Sequence, residues 1–302
     1  MPPIRINDDH GHILTGGLFI MVSELLFAAM GGAIRMASTE LDNPMIVFGR
    51  NLVGAAILLG WLATRGGGRP LATRVPHLHL LRGLSGTGAM YCFFYAIAHM
   101  PLAEAMLLKL TSPLFIPLIA LTWLHEPLGW RTPLALAIGF AGVLVILAPD
   151  ARGIDPVALI ALAGGVLAAL AKVTVRRLSH TESPELIVFY FAVTGLAVSI
   201  IPLPWLWQTP STQALGWVLA TGLLATGGQL MLSRGMGRAP AGRLAPFSFF
   251  SVVFGAILGW LFWGETVTLA TVAGAVLILL SVLVTGSQRL PANRAHRTDR
   301  AT

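Results

Sequence analysis

The sequence predicts an all-α integral membrane protein, with ten transmembrane helices built as two inverted five-helix repeats. Three observations carry that prediction. Charge is scarce: the 302 residues hold only 20 Lys and Arg and 13 Asp and Glu, against 55% hydrophobic residues, where a soluble domain carries about a quarter charged residues. Apolar stretches of helix length recur along the whole chain. At ~20 residues per span, ten of them take roughly 200 residues, which leaves only tails and short connections. Third, a block of the first half returns in the second. Together these exclude an ordinary soluble enzyme, a disordered chain and a nucleic-acid-binding module. The net charge of +7 does not argue otherwise, because its basic residues sit between apolar segments. Open strands would leave backbone groups unpaired in hydrocarbon, and the alternation of a membrane barrel is missing, so the segments are helices.

Taken in order, the first segment, His12–Met36, reads as a retained helix rather than a cleaved signal, since it is long and Asp8 and Asp9 flank it. Asn43–Thr64 opens on Asn43-Pro44 and ends before the Gly66–Pro70 break. Leu78–Ala98 holds a polar-aromatic series. Leu102–His125 contains Pro113 and Pro117, which remove backbone bonds and predict a kink. Thr132–Ala148 ends at Pro149-Asp150, and Ile154–Val175 is followed by Arg176 and Arg177, which with Lys172 read as a cytoplasmic anchor. Pro184–Pro204, Gln213–Met236, Ala239–Trp263 (with Pro246 as a second kink) and Val267–Thr285 complete the set. Small surfaces at Gly31-Gly32, Gly164-Gly165, Gly227-Gly228 and Gly255/Gly259 let helices approach closely. Cys92, the single cysteine, is a packing residue with no disulfide partner.

Basic residues set the orientation. With the N-terminus inside, one side collects nearly all of them, while the other holds only Arg152, with Arg35 and Arg50 near helix ends. Both termini are therefore expected in the cytoplasm. The expected organisation is a tail over 1–11, a first repeat over 12–148, a second over 154–285 and a basic tail over 286–302.

Pro101 to Glu126 aligns without gaps with Pro240 to Glu265, and a Gly-containing apolar helix follows each block. Five helices per half is an odd number, so the second copy crosses the membrane in the opposite sense, a plan that puts a site between the halves near the midplane. The run Leu81-Arg82-Gly83-Leu84-Ser85-Gly86, then Phe94-Tyr95-Ala96, Pro101-Leu102-Ala103-Glu104-Ala105, Thr111-Ser112-Pro113 and Glu126 resembles the EamA repeat of the drug/metabolite transporter superfamily. Arg50 matches an Arg common in the second helix of that family. The second copy departs from the pattern, with Val252 where Pro113 would stand. The resemblance spans nearly the whole chain. It implies a secondary transporter of the bacterial inner membrane whose cavity is lined by helices one, three, four, six, eight and nine. Such proteins export amino acids or amino-acid-derived metabolites, metallophores included, and others import nucleoside-like cofactors such as S-adenosylmethionine.

Ionisable residues inside a membrane are costly, so each is a functional candidate. Glu24, the deepest acid, reads as the site of a cationic substrate group or a proton, or as a structural partner of a hydroxyl or Arg. Lys109, the deepest base, reads as the partner of a substrate carboxylate or of Glu24 in an empty cavity. Its alternative is to snorkel to the outer interface. Glu104, in its helix's first turn, suits the positive end of the dipole. Thr87, Tyr91, Tyr95 and His99 recur every four residues and wind slowly along one face. They read as a cavity wall suited to small-molecule recognition, or as isolated interhelical bonds, with His99 at the wet outer end. Gln229, Ser248 and Ser251 are further lining candidates, and Ser248 is the repeat counterpart of Lys109. Arg50 is read as structural or gating, paired with an acid near the outer mouth, and Pro113, Pro117 and Pro246 as hinges.

The Gly83–Gly88 glycines are no phosphate loop, because no strand precedes them. Asp8 to His12 has metal-ligand residue types but reads as a mobile tail, so no metal and no cofactor is expected. With no Walker motif, transport runs on gradients unless an unseen subunit supplies energy, and proton or ion coupling is among the expected partners. The partners expected are a small solute and the lipid bilayer, with no nucleic acid, and either a monomer or a homodimer suffices. The leading reading is an exporter of a zwitterionic, amino-acid-like metabolite, not an enzyme. The alternatives are a cofactor importer, and a non-transporting membrane subunit or intramembrane enzyme.

Overall fold

A computed structural model describes residues 9–64, 73–119, 132–147, 155–178, 181–236, 238 and 244–286. Every regular element among them is helical: α1 Asp9–Ala37, α2 Asn43–Thr64, α3 Pro76–His99, α4 Leu102–Lys109, α5 Ser112–Ile119, α6 Thr132–Leu147, α7 Pro156–Leu178, α8 Pro184–Ile200, α9 Leu203–Leu206, α10 Thr212–Met236, a 3-10 segment Ala245–Phe249, α11 Phe250–Trp263 and α12 Leu269–Gly286. All ten predicted segments are present, and the second matches residue for residue. The first starts earlier, because Asp9 to Gly11, expected in a tail, already belong to α1. The seventh is shorter: Pro202 stops α8 and the chain makes a separate single turn, α9. The breaks at 66–70 and 149–150, Glu126 and the tail beyond Gly286 lie outside the described residues.

Among the described residues, four helices are long and apolar enough to cross a membrane, with spans Leu14–Ala37, Asn43–Trp61, Pro156–Val175 and Thr212–Gly235. Shorter apolar helices cover Pro133–Val145, Pro184–Ile200, Phe247–Trp263 and Leu269–Ser281. α3 has the length but not the apolarity, since it carries His77, His79, Arg82, Ser85, Thr87, Tyr91, Tyr95 and His99. Such polar groups are a cost inside a bilayer unless neighbouring helices shelter them, and His79, Arg82, Ser85 and Thr87 are buried.

The fourth segment divides. α4 ends at Lys109, the N–H groups of Leu110 and Thr111 turn back in tight 3-10 fashion to Leu107 and Leu108, and α5 restarts at Ser112. Pro113 accounts for the position, because it has no N–H to bond the carbonyl of Lys109. The ninth segment changes type at the repeat-related point. A 3-10 stretch runs to Phe249 and the α-helix begins at Phe250, the counterparts of Leu110 and Thr111.

The packing of the helices repeats the symmetry of the chain. α1 packs on α10 and its counterpart α7 on α3; α1 packs on α11 and α7 on α5; α3 packs on α8 and α10 on α2. α2 meets α8, α4 meets α11 and α6 meets α12, each helix against its own repeat mate. Exchanging the two halves therefore maps these principal contacts onto one another, as inverted repeats require. Close approach makes the α6–α12 seam possible: a Cβ on Gly142 would stand 2.9 Å from the Gly274 carbonyl. Cys92 packs on Gly164 in the α3–α7 contact.

Candidate functional site

The centre of the bundle holds an acid–base pair. Glu24, buried on α1, accepts from Lys109 Nζ at 3.2 Å. The residues around them dictate this meeting. Ser23 donates to the Gly228 carbonyl of α10 at 3.0 Å and fixes the rotation of α1, while the end of α4 at Lys109 leaves the lysine stem pointing inward rather than along a continuing helix. The ammonium lies over the ring of Phe27 at 4.5 Å and that of Phe93 at 5.4 Å, which adds quadrupole attraction in a water-poor place. Lys109 therefore pairs rather than snorkels.

A second lysine enters the same region and corrects the sequence reading. Lys172, read as a cytoplasmic anchor, turns inward and donates to Ser112 Oγ at 2.7 Å, at the first residue of α5. α7 packs along both α4 and α5, so a lysine six residues before its end reaches the helix break instead of the interface. No local signal marked this, because its partner is a hydroxyl 60 positions away. With Glu24, Lys109 and Lys172 together, the centre carries one more positive charge than negative.

The other predicted residues distribute differently. Thr87 is buried and its hydroxyl has no hydrogen-bond partner among the described residues. Tyr91 is half-buried against the main apolar core, and its carbonyl accepts from Asn43 Nδ2 of α2 at 2.9 Å. Tyr95 stacks on exposed His99 with ring centroids 4.1 Å apart, and His99 Nδ1 meets the Tyr95 carbonyl at 2.8 Å. These two form a couple at the C-terminal end of α3, separate from the Glu24–Lys109 pair. Gln229 and Ser248 are half-buried and make no hydrogen bond through their side chains to the central charges. Ser251 donates to the Ser248 carbonyl at 2.8 Å. Pro113 and Pro246 sit at the two helix transitions, and Pro117 lies within α5.

Arg50 departs from expectation. Among the described residues no carboxylate pairs with it. Its Nη1 donates to Asn51 Oδ1 at 2.6 Å, and the guanidinium lies over Phe191 at 4.9 Å. An acid pairs with Arg35 instead. Arg35, in the last turn of α1, pairs with Glu265, whose other oxygen accepts from the Leu102 N–H at 2.9 Å. Glu265 thus caps α4, whose own N-cap Pro101 offers no side-chain acceptor. Glu104 accepts from Thr271 of α12 at 3.3 Å. In the connections, Glu40 accepts from both the N–H and the hydroxyl of Ser211, and those two bonds hold its carboxyl below the usual carboxylate range. The two halves are therefore tied together at this end by Glu265, Glu104 and Glu40.

Comparison with known proteins places this geometry in a lineage. The EamA-like transporter family matches residues 14–148 and again residues 156–287. The chain is 34% identical, over 89% of its length and 95% of the relative's, to the Pseudopaline exporter CntI of Pseudomonas aeruginosa. It is 25% identical, over 97% of its length and all of the relative's, to an S-adenosylmethionine uptake transporter of Rickettsia conorii. One crystal structure shares its fold with a TM-score of 0.64 at 20% identity, covering 91% of this chain and 98% of that one.

Proposed function

The chain belongs to the EamA-like transporter family, and from that premise we propose that it exports a small amino-acid-like metabolite, an amino-acid-derived metallophore above all, across the bacterial inner membrane. The observation that carries the reading is the buried Glu24–Lys109 pair at 3.2 Å. A zwitterionic solute replaces one internal ion pair by two equivalent ones, its ammonium on Glu24 and its carboxylate on Lys109. The charges then stay compensated while the solute loses its water, which limits the desolvation penalty that dominates buried ions. Lys172 adds a positive charge beside them, so the site favours solutes with more carboxylates than amines. The Phe27 and Phe93 rings that already touch the ammonium supply apolar walls of the kind small-molecule sites use.

Transport proceeds by alternating access, one half rocking against the other about the α6–α12 seam, with Pro113, Pro117 and Pro246 at the flexing points. The termini face the cytoplasm, a monomer suffices, and the Glu24–Lys109 pair re-forms when the solute leaves. The 34% identity to an exporter supports export over import, and the lower identity to an S-adenosylmethionine importer keeps uptake of a nucleoside-like cofactor as the second reading. The test compares small metabolites inside and outside cells with and without the protein, and with E24Q and K109M in its place. Export predicts a carboxylate-rich solute that accumulates inside when the protein is absent or carries either substitution. Wild-type flux in both variants would remove the pair from the mechanism.

A further inference from the structure

Two arginines inside the bundle hold charge that nothing in the transport site uses. Arg50 of α2 and Arg82 of α3 are 5% and 7% exposed. Both guanidinium groups lie on the same aromatic ring, Phe191 of α8, at 4.9 Å and 4.1 Å. Among the described residues neither has a carboxylate partner. Arg50 Nε, Arg82 Nε and Arg82 Nη1 are buried donors without an acceptor. The nearest acid in this part of the fold, Glu182, is engaged by the Thr73 hydroxyl at 2.7 Å and faces His79 at 3.9 Å.

The path of the Arg82 side chain is the telling detail. It stands six residues after Pro76, the start of α3, and helical side chains lean toward the N-terminus. Snorkelling to the near interface along its own stem is the ordinary solution for an arginine so placed. Arg82 does the opposite. Its Nη1 runs one turn deeper and fills the space beside Gly86 that a Cβ would occupy. Two like charges converge on one ring, donors outward, away from the water within reach.

We propose that Arg50 and Arg82 form a binding site for a small oxyanion, a phosphate or carboxylate group held by the guanidinium forks and backed by Phe191. The fork geometry of arginine matches an oxyanion's two oxygens, which a point-charge ammonium does not. The three orphaned donors are the ones such a group satisfies. The site lies among α2, α3 and α8 and is distinct from the Glu24–Lys109 pair. The chemistry is the same whether the group arrives as a free anion or as the headgroup of an anionic lipid.

Thermal unfolding of the full-length protein tests this in two arms. In neutral detergent, inorganic phosphate is titrated against sodium chloride at equal ionic strength. In lipid nanodiscs, phosphatidylglycerol is compared with phosphatidylcholine. A saturable rise in Tm is expected in one arm, and that arm names the source. R50Q and R82Q weaken the apparent affinity at least about tenfold, as loss of a charge-assisted bond requires. R82K, which keeps the charge but not the fork, weakens it too. If the glutamine variants fail to fold, R82K against wild type decides. A Tm that rises in neither arm, or rises equally in the arginine variants, overturns the site, and a loss of stability in R82Q that is independent of anion marks the arginines as structural only.

Discussion

At the scale of single residues, the central pair behaves as a unit. Removing one partner of a buried ion pair leaves the other unmatched and costs about 3–5 kcal/mol, whereas removing both is often near neutral. K109M and E24Q are therefore each expected to lower Tm, and the double variant E24Q/K109M to recover most of the loss while flux stays abolished. A thermal-shift series beside a transport assay checks both halves of this statement. Glu40 gives a pH signature outside the membrane. Its carboxyl is lowered by the Ser211 bonds, so their contribution is present above the ordinary carboxylate range and disappears as the pH falls through the lowered value. E40Q is expected to reduce Tm slightly at pH 7 and to match wild type near pH 3. Glu24 and Lys109 stood out in the sequence because a charge inside an apolar run has few explanations. Lys172 and Arg50 were misread for the opposite reason. Each lies near a helix end, where basic residues ordinarily meet water or an acid, and only the packing of α7 on α5 and of α8 on α2 and α3 turns them inward.

At the scale of elements, the division of the fourth segment is the feature with most consequence. α4 and α5 are separated by two residues, and α4, eight residues long, is too short to span a bilayer alone. Lys172 clips α7 to the first residue of α5. P113A restores the missing N–H and is expected to raise or preserve Tm while slowing transport, since a continuous helix resists flexing. Paired flux and unfolding measurements decide, and faster transport would refute the hinge. The break was legible because proline constrains its own backbone wherever it stands. The single-turn α9 was not, because apolar composition runs on through Pro202 and masks the stop.

At the scale of the whole molecule, the duplication in the chain reappears as a symmetry of contacts, so the architecture was readable once the two blocks were aligned. Partner choice was not, since which glycine meets which helix depends on distance in space. One end of the bundle joins the halves through Glu265, which holds Arg35 of α1 and the first N–H of α4. E265Q is expected to open that end more often. In a C92S background, a cysteine placed by M100C, at a position 8% exposed, is predicted to react about tenfold faster with a membrane-impermeant maleimide, the factor equivalent to ~1.4 kcal/mol. An unchanged rate would show that the latch does not govern access.

The cap on α4 is borrowed from the opposite half, so a separation of the halves at Glu265 undresses the start of that helix. Its bare amide hydrogens then carry a partial positive charge without a partner. On the alternating-access reading proposed above, a dissolved carboxylate or phosphate competes with Glu265 for that place, and the anion content of the medium is expected to lengthen the dwell time of the form open at that end.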